Sequence, residues 1–169
     1  GNFITKLDSD DSLAPHALAE GLDLALASDK NIAFLRTRYI YEGTGELCRE
    51  LPASPLLTLQ DFVAFHGSLH ALYHRRWWQP YATHFLSQDV LHDGRLLIAS
   101  GGTAPLTQAP YLLTLQPRSI TANTLQEAFN AEYAAIVEEE ADPAIRFIYA
   151  EKLRIGILYA ALLKSGAKP

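Results

Sequence analysis

The chain has 169 residues, 49% of them apolar and 20% charged, which is enough apolar material for a sizeable core in one globular domain spanning 1–169. Its formal charge of -5 argues against nucleic acid as a partner, because phosphate contacts need a surplus of Lys and Arg. The single Cys48 excludes a disulfide framework and fits a reducing, cytoplasmic setting, while no apolar run reaches the roughly 18 to 20 residues of a membrane span and no signal peptide is read.

Residues 1–11 are polar, contain Asp8, Asp10 and Asp11, and read as a mobile lead-in. Ser12 is an expected helix cap, followed by an amphipathic helix over 13–27 on the spacing of Leu18, Leu22 and Leu26, with His16 facing solvent near its start. The aromatic and branched run FLRTRYIYE, the connector Gly43-Thr44-Gly45 and ELCREL together predict a β-hairpin, with a helix over 32–41 as the rival. Thr58-Leu59-Gln60-Asp61 and Thr124-Leu125-Gln126-Glu127 each place a Thr three residues before an acid, the capping-box arrangement that opens a helix. The first of these helices is expected to run from Leu59 to about Trp78, ahead of Pro80.

Beyond it, THFLSQDVLH, Asp93-Gly94 and RLLIAS predict a second hairpin, since Asp-Gly suits a two-residue primed turn. Ser100-Gly101-Gly102-Thr103 reads as a tight turn, and PYLLTLQP as a further strand. Two C-terminal helices follow, about 124–140 with Leu125, Phe129, Tyr133 and Ile136 inward, and about 143–164 started by Asp142-Pro143. The expected architecture is α+β, an antiparallel sheet of about three to five strands flanked by helices with a C-terminal helical pair; an all-α bundle is the alternative.

Phe62 to Phe85 is chemically the densest stretch, with four of the six histidines and both tryptophans. On a helix His66, His70 and His74 would form one ridge, but at about 1.5 Å per residue the outer two lie about 12 Å apart, so a metal site takes one adjacent pair plus a carboxylate from elsewhere. No HExxH, CxxC or Glu-x-x-His motif completes such a set. The alternative for these histidines is plain packing, with His66 in the core. Gly67 implies close approach of a neighbouring element. Arg75-Arg76-Trp77-Trp78 suits an anion or a flat ring, set against solvated arginines at a helix end. Lys152 falls in the apolar arc of the last helix, where burial would depress its pKa unless it snorkels.

Three functions are consistent with these features. The first is a small-molecule-binding domain whose pocket beside the 59–78 helix is lined by His66, His70, Tyr73, Trp77, Arg36 and Arg38. The second is a metal-dependent enzyme in which a histidine pair and a carboxylate activate water. The third is a homo-oligomeric interaction subunit that self-associates through its apolar last helix.

Overall fold

Ile32–Tyr41 forms the long strand β3, rich in aromatic and branched residues that favour extended backbone. The computed structural model in which it lies describes residues 1–51, 53–65, 67–80, 88–116 and 126–165. In chain order β3 is preceded by β1 (Phe3–Ile4), β2 (Ser12–Leu13) and α1 (Ala17–Ala27). It is followed by β4 (Leu47–Glu50), β5 (Leu56–Thr58), α2 (Leu59–Ala64), β6 (His70–His74), a 3-10 turn at Arg75–Trp77, α3 (Gln88–Ala99) and β7 (Thr103–Leu115). The chain then forms α4 (Gln126–Glu139) and α5 (Pro143–Lys164).

One edge of β3 carries two antiparallel partners, β6 along Ile32–Leu35 and β4 along Arg38–Ile40. The β3–β4 pair is the expected hairpin, its turn made possible by the positive φ of Gly43 and Gly45. The other edge of β3 runs parallel to β7. The resulting order is β1-β6-β3-β7-β2, with β4 also on β3 and β5 also on β7. The fold is α+β, but among the described residues the sheet is mixed and seven-stranded rather than antiparallel with three to five strands, because β3 and β7 pair in parallel across a stretch of chain too long for any hairpin signal to report.

One face of the sheet carries the main core, in which Ile32, Phe34, Ala71, Tyr73 and Leu106 of the strands meet Phe62, Leu97, Ile136 and Tyr149 of the helices. The opposite face is covered in part by α1, where Ala25 meets Ala33 and Leu72. Gly21 lets α1 sit close, since a Cβ there would lie 2.9 Å from Leu35 Cδ2. The buried stripe of α1 is therefore Ala17, Gly21 and Ala25, and the leucines at the same spacing, Leu18, Leu22 and Leu26, point outward. Ser12 lies in β2, and His16, exposed as expected, holds the N-cap position at φ 68.

Two expected elements are replaced. The helix over 59–78 stops at Ala64, and the chain resumes as strand at His70. The Asp93-Gly94 turn does not form; both residues lie inside α3, where Gly94 brings the helix against Phe62, 3.3 Å from the position of a Cβ. Other expectations hold: Thr58 and Asp61 form a full capping box, Asp142 caps α5 through the Ala144 amide at 2.8 Å, and Tyr133 and Ile136 of α4 are buried. The Thr124 capping box and Leu125 fall outside the described residues. Among the described residues no helix is long and apolar enough to cross a membrane.

Gly67 is where β3 makes its close approach. A Cβ there would lie 2.3 Å from Tyr39 Oη and 2.9 Å from its Cζ, and that hydroxyl is already fixed by the Ser68 amide at 2.7 Å. Gly67→Ala is expected to lower stability by about 1–3 kcal/mol through overpacking, read as a drop in urea midpoint at unchanged m-value. A midpoint equal to wild type would show that Tyr39 moves aside freely.

Candidate functional site

The strand β6 fixes the fate of the histidines. His70 and His74 are four strand residues apart, about 13 Å at 3.3 Å per residue, so one ion cannot bridge them. His74 accepts from the Arg76 amide through Nδ1 at 3.2 Å and meets the edge of Phe3. His66 lies outside the described residues. Arg36 is buried and donates to the Thr107 and Ser54 carbonyls and to Gln108 Oε1, holding backbone together. Arg38 pairs with Glu50 directly across the β3–β4 ladder. Tyr73 is in the main core, and Trp77 donates its Nε1 proton to the Lys30 carbonyl at 2.7 Å. Among the described residues expected to line one pocket, only His70 belongs to the cluster described next.

His70 is fully buried on the α1 side of the sheet, stacked on Tyr111 with ring centroids 3.4 Å apart and 12° between planes. Its Nδ1 lies 3.3 Å from Thr37 Oγ1, a contact that accommodates the Nδ1–H tautomer and leaves the Nε2 lone pair available. Nε2 has no hydrogen-bond partner among the described residues. Burial pushes the His70 pKa down to about 3; Lys6 adds to the shift and Asp89 opposes it, so the ring is neutral at pH 7.

Two carboxylates from the N-terminal segment complete the cluster. Asp8, Asp11 and His70 each offer a ligand atom, and the three atoms lie within 4.8 Å of one another. Asp11 accepts from the Tyr111 hydroxyl through Oδ2 and from the Thr114 amide through Oδ1, both at 2.8 Å. The Asp8 amide donates to the same Tyr111 hydroxyl at 3.1 Å. Tyr111 therefore touches all three residues, stacking on the imidazole and tying both aspartates. Donors at about 2.1 Å from an ion stand about 3 Å apart when adjacent and about 4.2 Å apart when opposed, so the cluster needs only a small contraction. Asp8, which is exposed, can supply it. Each Asp11 oxygen keeps a second lone pair for an ion.

The chain matches no known family model and no curated protein. The functional reading therefore rests on this geometry.

A second polar cluster is closed to solvent. Lys152 does not snorkel: its Nζ donates to the Phe62 and Phe65 carbonyls and sits 4.1 Å over the Phe62 ring. Burial pushes its pKa down to about 7 against the pull of Asp93. Asp93 is itself raised to about 8 by burial, which outweighs the Leu69 amide that it accepts from. The Ser100–Thr103 turn offers no anion cradle, since the Gly101 and Gly102 amides already bond the last carbonyls of α3. Cys48 is exposed.

The sequence contained no spacing that joins Asp8, Asp11, His70 and Tyr111. The acidic run before the first expected helix was the one available signal, and it is equally the signature of a solvated lead-in.

Proposed function

We propose that the protein is a divalent-metal-dependent enzyme in which His70, Asp8 and Asp11 hold one ion that activates water for attack on a small molecule. The observation that carries this reading is the convergence of the three donors on a buried imidazole whose Nε2 has no other partner. One imidazole and two carboxylates form an oxygen-rich set with open positions, suited to Mn²⁺ or Zn²⁺ in a Lewis-acid role. Tyr111 holds the Asp11 carboxylate, the Asp8 backbone and the imidazole in place, as groups behind metal ligands do.

Calorimetric titration of chelator-stripped protein with MnCl2 and with ZnCl2 tests it. One equivalent of at least one ion is expected to bind, with affinity at least tenfold weaker in Asp8→Asn and in His70→Ala. The reading fails when neither ion binds stoichiometrically, or when both variants bind as wild type does.

A second reading, self-association, is favoured by α5, which leaves Phe147, Ile157, Leu158 and Leu162 exposed on a long helix. Light scattering at micromolar concentration is expected to give a dimer mass; a monomer mass would sink that reading.

A further inference from the structure

Resting on that metal site, we infer that residues 5–11 form a metal-latched strap: the ion joins carboxylates on the strap to a histidine on the sheet, so that binding and strap closure are one event. The topology requires a crossing. β1 pairs with β6 at one edge of the sheet order and β2 with β7 at the other, so the connecting residues traverse β6, β3 and β7. Asp8 and Asp11 place that crossing over His70 and Tyr111, beside α1 on the same face. Four inter-strand steps span about 19 Å, and the eight residue steps from Ile4 to Ser12, about 27 Å when extended, bridge them with room for the turn in which the Asp11 amide donates to the Asp8 carbonyl.

Its anchorage consists of a few local contacts. Each end is held by a ladder of two residue pairs, Phe3↔His74 with Ile4↔Tyr73, and Ser12↔Leu112 with Leu13↔Tyr111. Between the ends, Lys6 pairs with Asp89 at 2.8 Å in a partly buried position, Asp11 accepts from the Tyr111 hydroxyl and the Thr114 amide, and the Asp8 amide donates to the Tyr111 hydroxyl. Residues 7–10 are exposed. With the strap closed, two buried polar atoms have no partners among the described residues, His70 Nε2 on the sheet and Thr5 Oγ1 on the strap itself. A buried acceptor left unpaired favours opening, and an ion on Nε2 removes that cost while adding bonds to the strap. Opening uncovers the stacked His70 and Tyr111 rings, and closure rebuilds the ligand set.

Peptide-resolved hydrogen exchange on the full chain, with and without MnCl2 or ZnCl2, whichever binds, at a hundredfold excess over its measured Kd, tests this. Opening that destroys the site should be suppressed about a hundredfold at that excess, so exchange of peptides covering 5–11 is expected to slow by about that factor. Peptides of α5 should not change. Asp8→Asn, which alters only an exposed side chain, and His70→Ala should each lose most of the slowing at the same metal concentration. Stoichiometric binding with unchanged exchange over 5–11 overturns the strap and leaves the metal reading standing. Slowing that persists in both variants also overturns it, and absence of binding overturns strap and metal reading together.

Discussion

Replacing Lys152 by Ala is expected to lower stability by about 3–5 kcal/mol, and replacing it by Met by roughly 1–3 kcal/mol. Lys152 is fully buried, and its Nζ donates to the Phe62 carbonyl at 2.5 Å and the Phe65 carbonyl at 3.1 Å. α2 has six residues and ends beside those groups, where the last carbonyls of a helix lack intrahelical donors and carry the negative end of its dipole. The ammonium thus closes the end of α2 from α5 and fixes the chain leading towards β6. Alanine removes the donor and leaves a cavity beside Phe62; methionine refills most of the volume and leaves only the carbonyls unserved. The expected order, wild type above Met above Ala, is read from urea midpoints at pH 7. A loss below 1 kcal/mol for Ala would show that water enters and replaces the ammonium.

Lys152 was readable in the sequence as an interruption in an apolar arc; whether it would snorkel was not, because that depends on what α5 packs against. The same distinction explains the larger misreadings. A spacing of four residues satisfies the helical period and is also an even number, so His70 and His74 share a face of a strand as readily as of a helix. Only the stop at Ala64 and the approach of Tyr39 to Gly67 decide for strand, and both are tertiary. Asp93-Gly94 carries the chemistry of a turn, yet Gly94 serves to let α3 reach Phe62 and Tyr149. In α1 two stripes share one spacing, and propensity to bury favours the leucines; the sheet takes the small stripe because the helix lies close to Leu35. Capping boxes and the β3–β4 hairpin were legible because their determinants are local. The Asp8–Asp11–His70 cluster was not, since it is made by a crossing between two sheet edges.

Asp93→Asn is expected to change how stability depends on pH between about 4 and 8 by up to about 1.4 kcal/mol per pH unit. Asp93 is fully buried within α3, accepts the Leu69 amide, and has no partner for Oδ2 among the described residues. Burial raises its pKa from 3.8 to about 8; Lys6 and Lys152 oppose the shift and Asp89 adds to it. Between those values the folded state holds a proton that the unfolded chain has released, so this group makes stability fall as pH rises through the window. Lys152 acts with the opposite sign at higher pH. Its pKa is lowered from 10.5 to about 7, so from about 7 to 10.5 the unfolded chain binds the extra proton and stability rises with pH. The two slopes offset each other near pH 7 to 8, and the contribution of Asp93 is cleanest below 7. His70 and His92, with pKa values pushed down by burial to about 3 and about 4, also titrate below that point, but they are common to both proteins and cancel in a difference. Asparagine keeps the acceptor for Leu69 and cannot ionise. The stability of Asp93→Asn minus that of wild type, from urea unfolding at pH 5, 6, 7 and 8, should therefore climb steadily with pH. Parallel profiles would mean that Asp93 is ionised in the folded protein throughout, with Lys152 or Lys6 as its counter-ion.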